Sequence, residues 1–377
     1  MSRIPLNAFC ALTMGQSPDS ESYNIEHNGF PFYQGNADFG RIHPMVRVWC
    51  SAPKKLAKAG DILISVRAPI GALNIADCDC CIGRGLAAIT PDATCADTMF
   101  LFYALYASAA ELQRRGTGST FKAISKNALS NLLLPSYCLE EQKEISAVLQ
   151  QVDHLIALRQ RQAEKLDELV KARFVEMFGD PVLNCQGFPV RTIGELTTEV
   201  KYGTSKPAVE GGKYPYLRMN NLTIDGKLDL HDLKQIDVDT SEFEKCVVRK
   251  GDVLFNRTNS AELVGKTAYY GLDEEMIIAG YIIRVRVNNL ILPQYLSFYM
   301  NMPFMKQRIR SMAKGAVNQA NINSKELKSI KVIVPPLEVQ GKVVEYEERI
   351  DREKDRIQRS AALLETLKRS LMQQYFG

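Results

Sequence analysis

The sequence contains no run of about 18 consecutive apolar residues, the minimum for a helix that crosses a membrane. Residues 1–11 hold a single arginine and no sustained apolar stretch, so they lack the organisation of a secretory signal peptide. These two absences predict a cytoplasmic protein that makes no contact with a membrane.

Recognisable catalytic motifs are also missing. The chain has no HExxH zinc motif, no phosphate-binding loop and no dinucleotide-binding fingerprint. It lacks the Asn-Pro-Pro-Tyr-like or Asp-Pro-Pro-Tyr-like signature of an adenine methyltransferase, an enzyme that must flip its target base. The histidines are isolated from one another: His27, His43, His154 and His231. The sequence therefore favours a protein that does no chemistry of its own.

The nine cysteines are scattered, and their one cluster is Cys78, Cys80 and Cys81. A zinc site would need a second cysteine or histidine pair at some distance, and the sequence has none. The pattern predicts reduced thiols in or near a core, without a metal. An enzyme with a hidden site at this cluster remains an alternative, which metal analysis and a cysteine-to-serine variant would decide.

The net charge of +4 is distributed unevenly along the chain. It is +2 over residues 1–138, −3 over residues 139–180, +5 over residues 181–336 and zero over residues 337–377. Two mildly basic blocks therefore alternate with an acidic and a neutral block. This distribution permits a polyanionic partner but does not require one.

The chain contains one unit written twice. Shifted by 198 positions, residues 124–179 align without a gap on residues 322–377. The segment LEEQ at 139–142 falls on LEVQ at 337–340. Upstream, Gly60-Asp61 and Gly251-Asp252 each open a short apolar run, so we interpret them as turns that start a strand, not as contacts to a ligand.

Apolar residues recur at period 3.5 after each LExQ segment, which predicts two long helices that form a coiled-coil seam. The first-copy a positions are Ile145, Val152, Arg159, Leu166 and Arg173. Those of the second copy are Val343, Ile350, Ile357, Leu364 and Leu371. We expect the two helices to pair with each other in antiparallel orientation. The alternative is that each helix packs only on its own globular block.

The remaining blocks alternate short β-like runs with turns, and a helix is expected late in each, over residues 98–115 and 293–313. The predicted fold is α/β (α+β), with two small mixed domains in pseudo-twofold arrangement, each followed by a long helix. The predicted boundaries are a first domain over 1–138, a first helix over 139–180, a second domain over 181–336 and a second helix over 337–377.

With these motifs in order, the chain resembles the specificity subunit of type I restriction-modification systems over essentially its whole length. In the first block the resemblance rests on GQSP at 15–18, PFYQGNADFG at 31–40, GDILISVRAPIG at 60–71, CIGRGLAAI at 81–89 and GTGSTFKAI at 116–124. In the second block it rests on PYLRMNNL at 215–222, GDVLFNRTNSAELVGKTA at 251–268 and NINSKEL at 321–327.

The resemblance implies two target recognition domains, each of which reads one half of a split, asymmetric site in double-stranded DNA. The long helices would hold the domains apart. Methyltransferase subunits, expected as a pair, would dock on the helical regions, and restriction (translocase) subunits would join them. S-adenosylmethionine, ATP and magnesium would serve those partners, and no cofactor is expected in this chain. A coiled-coil scaffold with two protein-binding domains is the alternative function.

Polar residues near glycines are the candidates for DNA contact. Glycine lets the backbone approach a phosphate, arginine can donate two hydrogen bonds to guanine, and asparagine or glutamine can pair with adenine. In the first block these residues are Gln34, Arg67, Arg84, Ser119, Thr120 and Lys122. In the second they are Lys201, Thr204, Arg218, Asn220, Asn221, Arg257, Thr258, Asn259, Ser260, Lys266, Lys314, Asn318 and Gln319. For Arg84, between two glycines, a structural brace is the alternative role.

Overall fold

The computed structural model of the chain describes residues 2–117, 122–179, 184–316 and 319–377. The chain forms two compact units. The first unit comprises Met1–Arg161 and Ile357–Gly377, and the second comprises Gln162–Arg356. Each unit therefore contains one globular domain and a segment of both long helices.

The first unit contains short strands and helices that precede a long helix. Its strands are β1 (Arg3–Pro5), β2 (Cys10–Met14), β3 (Tyr23–Asn24), β4 (Phe30–Tyr33), β5 (Val48–Cys50), β6 (Leu56–Ala57), β7 (Ile62–Ser65), β8 (Leu73–Ile75), β9 (Cys80–Ile82), β10 (Leu86–Pro91) and β11 (Leu133–Pro135). Its helices are α1 (Thr98–Ala107), α2 (Ala109–Arg115) and α3 (Lys126–Ser130), and the long helix is α4 (Leu139–Phe178).

The first unit has two sheets of four or more strands, and strand β7 of one of them contributes to two hydrophobic cores. One has the strand order β2-β10-β7-β8 and the other β3-β5-β4-β9-β6. Because side chains alternate across a strand, Ile62 and Ile64 of β7 enter the core that contains Phe100 of α1. Leu63, between them, enters a separate core with Tyr33 of β4. A strand covered on both faces is apolar throughout, which explains the run that follows Gly60-Asp61.

The second unit repeats this plan. Its strands are β12 (Val190–Thr192), β13 (Thr197–Tyr202), β14 (Tyr214–Leu217), β15 (Lys234–Ile236), β16 (Val247–Val248), β17 (Val253–Asn256), β18 (Thr258–Asn259), β19 (Thr267–Tyr269), β20 (Met276–Ile278), β21 (Ile282–Val287), β22 (Lys314–Ala316), β23 (Gln319–Asn321) and β24 (Lys331–Ile333). Its helices are α5 (Thr240–Cys246), α6 (Pro293–Asn301), α7 (Pro303–Met312) and α8 (Ser324–Ser329), and the second long helix is α9 (Leu337–Phe376).

Sheet order confirms that the two domains share one topology. The order β13-β21-β17-β19 in the second unit corresponds to β2-β10-β7-β8 in the first. The order β15-β14-β20-β16 corresponds to β5-β4-β9-β6, and both sheets contain one parallel pair, β14 with β20 or β4 with β9. The mixed, repeated fold predicted from the sequence is confirmed.

The late helix expected in each block is broken in two. Ser108 separates α1 from α2, and Met302 separates α6 from α7. In the second unit the cause is Pro303, because a proline disfavours helical backbone at the residue before it, and Met302 is extended. Ser108 instead leaves the helical region and donates its hydroxyl to the Ala104 carbonyl oxygen.

The two long helices run antiparallel within each unit. In the first unit Lys368 Nζ of α9 lies 2.6 Å from Asp153 Oδ1 of α4, and in the second unit Lys354 pairs with Asp167. In both ion pairs the two residue numbers add up to 521, so in each unit residues of α4 and α9 whose numbers sum to 521 lie at the same level. We call this alignment the register of 521. At 1.5 Å per residue, each 40-residue helix is about 60 Å long. The predicted antiparallel pairing is confirmed.

Gly60-Asp61 and Gly251-Asp252 form turns before β7 and β17, as interpreted from the sequence. Both glycines have a positive φ, of 89° and 100°, and each aspartate accepts a hydrogen bond from a backbone N–H three residues earlier. Within the described ranges, no helix has an apolar stretch long enough to cross a membrane.

Candidate nucleic-acid interface

Three predicted DNA-contacting residues of the first unit meet on one surface. Gln34 follows β4, Arg67 follows β7 and Arg84 follows β9, and all three line a shallow depression of about 230 Å³. We call these three residues the first polar face. All three side chains are exposed, so they are available to a ligand.

Two glycines allow the backbone to pass directly beside Gln34. A Cβ placed on Gly85 would lie 2.4 Å from the Gln34 carbonyl oxygen, and one on Gly83 would lie 3.1 Å from Gln34 Cα. Arg84 lies between these two glycines, in the segment that passes beside Gln34. Among the described residues its side chain makes no hydrogen bond or ion pair, so nothing there supports the alternative role of Arg84 as a brace.

Arg67 also lacks an acidic partner in the part of the chain that the structure describes. Its backbone forms an isolated bridge with Ala123, and the exposed Lys122 is the residue before Ala123. The segment that carries Lys122 therefore runs beside Arg67. Ser119 and Thr120, predicted in the same loop, lie outside the described residues.

Backbone hydrogen bonds locate the same surface in the second unit. The bond from Gly83 N to Tyr33 O corresponds to the bond from Ala279 N to Leu217 O. The bond from Val66 N to Gly85 O corresponds to that from Arg257 N to Tyr281 O. By this correspondence, the counterparts of Gln34, Arg67 and Arg84 are Arg218, Thr258 and Gly280.

We define the second polar face as Arg218, Asn220, Asn259 and Ser260, which are Arg218 itself and residues within two positions of Arg218 or Thr258. Asn220 and Ser260 are exposed, whereas Arg218 and Asn259 are half-buried. Arg218 donates to Asp232 Oδ2 at 2.8 Å, so its charge is partly neutralised. The second polar face therefore has two asparagine amides and a serine hydroxyl beside its one arginine, whereas the first polar face has two arginines beside Gln34.

Some predicted residues have buried side chains that hold loops together. Thr204 donates to the Glu242 carboxylate, and Thr258 donates to Asn321 Oδ1 at 2.9 Å. Asn221 donates to the Asp229 carbonyl oxygen at 2.8 Å, and Lys266 donates to the Met219 carbonyl oxygen at 2.7 Å. A buried polar group must find such a partner, so these four side chains support the loops and are not offered to a ligand at this surface.

Arg257 and Lys201 differ in how their charges are used. Lys201 Nζ lies 2.5 Å from Glu199 Oε1 and is half-buried. The Arg257 guanidinium lies over the Tyr202 ring, 4.9 Å from its centroid, and has no acidic partner within the described ranges. Its buried Nε also finds no hydrogen-bond partner there. Arg257 is therefore a preoriented cation whose hydrogen-bonding capacity is largely unused.

The second unit also brings two predicted segments together. β18, which contains Thr258 and Asn259, pairs with β23, and β23 pairs with β22. Lys314 lies in β22 and Gln319 lies in β23, so this three-stranded sheet joins both predicted loops. Asn318 lies outside the described residues.

Sequence reasoning missed Asn36 and Tyr281. Asn36 lines the depression of the first polar face, and Tyr281, half exposed, occupies the position of Gly85 in the second unit. Each directly follows a glycine, Gly35 or Gly280, so the criterion that selected Gln34 could also have selected Asn36. The repeat could have revealed Tyr281, but only if the diverged residues between the two landmarks had been aligned.

The cysteine cluster offers no reactive thiolate. Burial raises the pKa of Cys81 to about 12, and it raises the pKa values of Cys80 and Cys78 as well. A neutral buried thiol is a poor nucleophile and a poor metal ligand. Among the described residues, no group of three or more histidine, cysteine or acidic side chains is arranged to hold a metal ion.

Comparison with known proteins gives a consistent family. A family model described as the type I restriction modification DNA specificity domain matches residues 5–168 and again residues 187–368. Over 160 residues, the chain is 43% identical to a protein of Methanocaldococcus jannaschii that carries the name type I restriction enzyme MjaX specificity subunit. Over 168 residues, it is 27% identical to the type I restriction enzyme EcoKI specificity subunit of Escherichia coli K12.

These matches cover 42% and 44% of the chain, and 38% and 36% of the two relatives, so the matched part spans well under half of each relative. Among solved structures, the type I restriction-modification S subunit from M. genitalium aligns with 100% of this chain and 96% of that one. Its TM-score is 0.62 at 17% identity, a likeness that concerns the fold.

Proposed function

Because the chain belongs to the family of type I restriction-modification DNA specificity domains, we propose that its two domains read the two halves of a split, asymmetric DNA site. The observation that carries this proposal is the pair of polar faces. Equivalent surfaces of one topology present Gln34, Arg67 and Arg84 in the first unit, but Arg218, Asn220, Asn259 and Ser260 in the second. One scaffold with two different sets of side chains suits the recognition of two different base sequences.

The chemistry of each face suits a particular mode of contact. Arg67 and Arg84 can each donate two hydrogen bonds to guanine or bind a phosphate, and Gln34 can pair with adenine. In the second unit, Arg257 and the amide of Asn220 have the same capacities. Each good bidentate pair contributes about 1–3 kcal/mol of discrimination between bases.

The chain itself does no chemistry in this proposal. Methylation of adenine and cleavage of DNA belong to methyltransferase and restriction subunits, which bring S-adenosylmethionine, ATP and magnesium. Specificity alone fits the family description, which names a DNA specificity domain. It also fits the raised pKa values of Cys80 and Cys81, whose buried thiols are neutral.

An exposed leucine patch in the first unit suits the docking of a methyltransferase subunit. Leu155 and Leu158 of α4 and Leu363 and Leu367 of α9 are all exposed, Leu363 by 72%. With the register of 521, Leu158 lies at the level of Leu363, and both are rotated by the same angle from the Asp153–Lys368 pair. The repeat-equivalent positions in the second unit are Glu353, Arg356, Lys165 and Leu169, so the patch is specific to the first unit.

Titration of duplex DNA with the chain and its methyltransferase partner, at several salt concentrations, tests the proposal. We expect tight binding to a duplex that contains the methylated site, and an affinity that falls steeply as salt rises, because neutralised phosphates release counterions. A scrambled duplex is the matched control. Binding that is indifferent to both sequence and salt would favour the alternative of a protein-binding scaffold and overturn the proposal.

A further inference from the structure

A second concave surface of the first unit shares no lining residue with the depression of the first polar face. It is a groove of about 710 Å³ between α1, the end of β8 and α4. Its floor is apolar and aromatic, with Met99, Phe102, Tyr103 and Leu73, and Tyr106 at its edge is 56% exposed. A groove of this size and lining is typical of a ligand or peptide site.

The corresponding position in the second unit is closed by the chain's own turn. A Cβ on Gly226 would lie 2.2 Å from Asn301 Nδ2 and 2.9 Å from the Thr267 carbonyl oxygen. Lys227, the next residue, places its Nζ 3.1 Å from Asp351 Oδ1 of α9. The turn therefore covers α6, β19 and the long helix together.

The repeat identifies these contacts with the walls of the open groove. Asp351 is the counterpart of Asp153 by the shift of 198. Thr267 corresponds to Leu73, because the hydrogen bond from Asn256 N to Lys266 O matches that from Ser65 N to Ala72 O. In the helices α1 and α6, Asn301 corresponds to Tyr106. The turn of the second unit thus occupies the place that is empty in the first.

A different cation contacts the helix aspartate in the first unit, where the groove is open. Lys368 Nζ of α9 lies 2.6 Å from Asp153 Oδ1 and takes the part that Lys227 has in the second unit. Tyr103 donates its hydroxyl to Asp153 Oδ2 at 2.8 Å. The first unit's own loop does not fill the groove but lines one end of it, where Ile42 O accepts a hydrogen bond from Ile75 N.

The charge of the open groove is positive. Arg41 and Lys368 line it, and Asp153, already paired with Lys368, is the one carboxylate among its lining residues. Arg41 is exposed, and its side chain makes no ion pair with any described residue. The Lys368 ammonium also lies 5.5 Å from the centre of the Tyr106 ring, so charge and aromatic surface meet at the groove's edge.

We propose that this groove binds an acidic turn of a partner protein, with an apolar side chain against Tyr106 and Met99 and a carboxylate at Arg41. The second unit supports a turn as the occupant, since a turn of this chain lies at the equivalent place. Charge complementarity selects an acidic turn over a basic one. The proposal concerns protein docking and does not depend on which bases the polar faces read.

Fluorescence anisotropy with the full chain and two labelled peptides tests this site. The probes are EDLFGDE and its basic counterpart KKLFGKK, which share the apolar centre. We expect the acidic peptide to bind at least about tenfold more tightly, and Arg41→Glu, at an exposed loop position, to remove that preference. Ala157→Trp, which fills the groove from α4, should abolish binding of both peptides.

Lys354→Ala is the control for a general loss of positive charge, because it removes a cation of the second unit, where Lys354 pairs with Asp167. Its peptide affinities should equal those of the wild type. Equal affinity for the two peptides, no binding of either, or undiminished binding to a folded Ala157→Trp variant would each overturn the proposal. A thermal unfolding curve for every variant identifies those that are folded.

Discussion

The side-chain amide of Gln340 makes the same three hydrogen bonds as that of Gln142, 198 residues earlier. Each Nε2 donates to two carbonyl oxygens and each Oε1 accepts a backbone N–H, and both side chains are fully buried. The partners of Gln142 are Cys95 O, Tyr137 O and Asp97 N, all at 3.0 Å. The partners of Gln340 are Leu290 O at 3.1 Å, Pro335 O at 2.8 Å and Leu292 N at 2.8 Å. The glutamine of the LExQ segment therefore fastens each long helix to the domain that precedes it.

Gln340→Leu should destabilise the second unit strongly. Leucine has a similar volume but leaves two carbonyl oxygens and one N–H without their partner, at about 1–3 kcal/mol for a buried group. We expect a loss of about 2–4 kcal/mol in the free energy of unfolding, measured by denaturant titration. Gln374→Leu, at an exposed position of the same helix, is the control and should change the midpoint little. Equal midpoints for the two variants would contradict the anchoring role.

The ion-pair network of Arg284 should make Glu199 indispensable for stability. Arg284 is 1% exposed and donates to Glu199 Oε2 at 2.5 Å, and Arg286 donates to the same oxygen at 2.9 Å. Glu199→Ala leaves a buried guanidinium without its counter-charge, which costs about 3–5 kcal/mol. The exposed pair of Lys250 and Asp273 is the comparison, and Lys250→Ala should cost less than about 1 kcal/mol. A Glu199→Ala variant as stable as Lys250→Ala would show that the network contributes nothing.

Glu347 should make stability depend on pH in an unusual direction. Burial, with Asp351 adding repulsion, raises the pKa of this carboxyl from 4.5 to about 8, despite nearby Lys227 and Lys354. The folded state therefore binds more protons than the unfolded state between these pH values, so this contribution to stability falls as pH rises through that window.

Glu347→Gln removes this titration. The free energy of unfolding, measured between about pH 5 and about pH 9, should show a variant that gains on the wild type as pH rises. Glu345→Gln, at an exposed position of α9, should follow the wild-type curve. A constant difference between Glu347→Gln and wild type across this range would contradict the raised pKa.

Matched insertions in the two long helices should change the gap between half-sites. Four residues after Gln162 in α4, with four at residue 359 of α9, add about one turn, or roughly 6 Å, and preserve the register of 521. We expect the methylated site to keep both half-sites and to lengthen its unread gap. Insertion in α4 alone offsets the Asp167–Lys354 and Asp153–Lys368 pairs, and should instead lower stability. An unchanged gap in the matched variant would refute the spacer role of the helices.

The sequence predicted features that local patterns determine. Heptads and the LExQ segments located α4 and α9, and Gly60-Asp61 and Gly251-Asp252 were interpreted correctly as turns. Each of these depends on residues within a few positions of one another.

Side-chain roles in the loops could not be predicted in the same way. Lys266 and Arg84 both lie beside glycine, yet Lys266 is buried against Met219, 47 positions earlier, and Arg84 is exposed. Tyr281 lies beside the residues of the second polar face because its backbone pairs with Arg257, which belongs to another segment of the chain. Such contacts depend on the tertiary fold, which spacing along the chain does not encode.

The central claim is tested most directly by mapping the adenines that the methyltransferase partner methylates when it acts together with this chain. Arg67→Ala and Arg257→Ala would each be compared with wild type by methylation-sensitive sequencing. We expect Arg67→Ala to relax one half of the recognised sequence and Arg257→Ala to relax the other, with the gap unchanged. If both substitutions relax the same half, or neither alters the recognised bases, then Arg67 and Arg257 do not read separate half-sites.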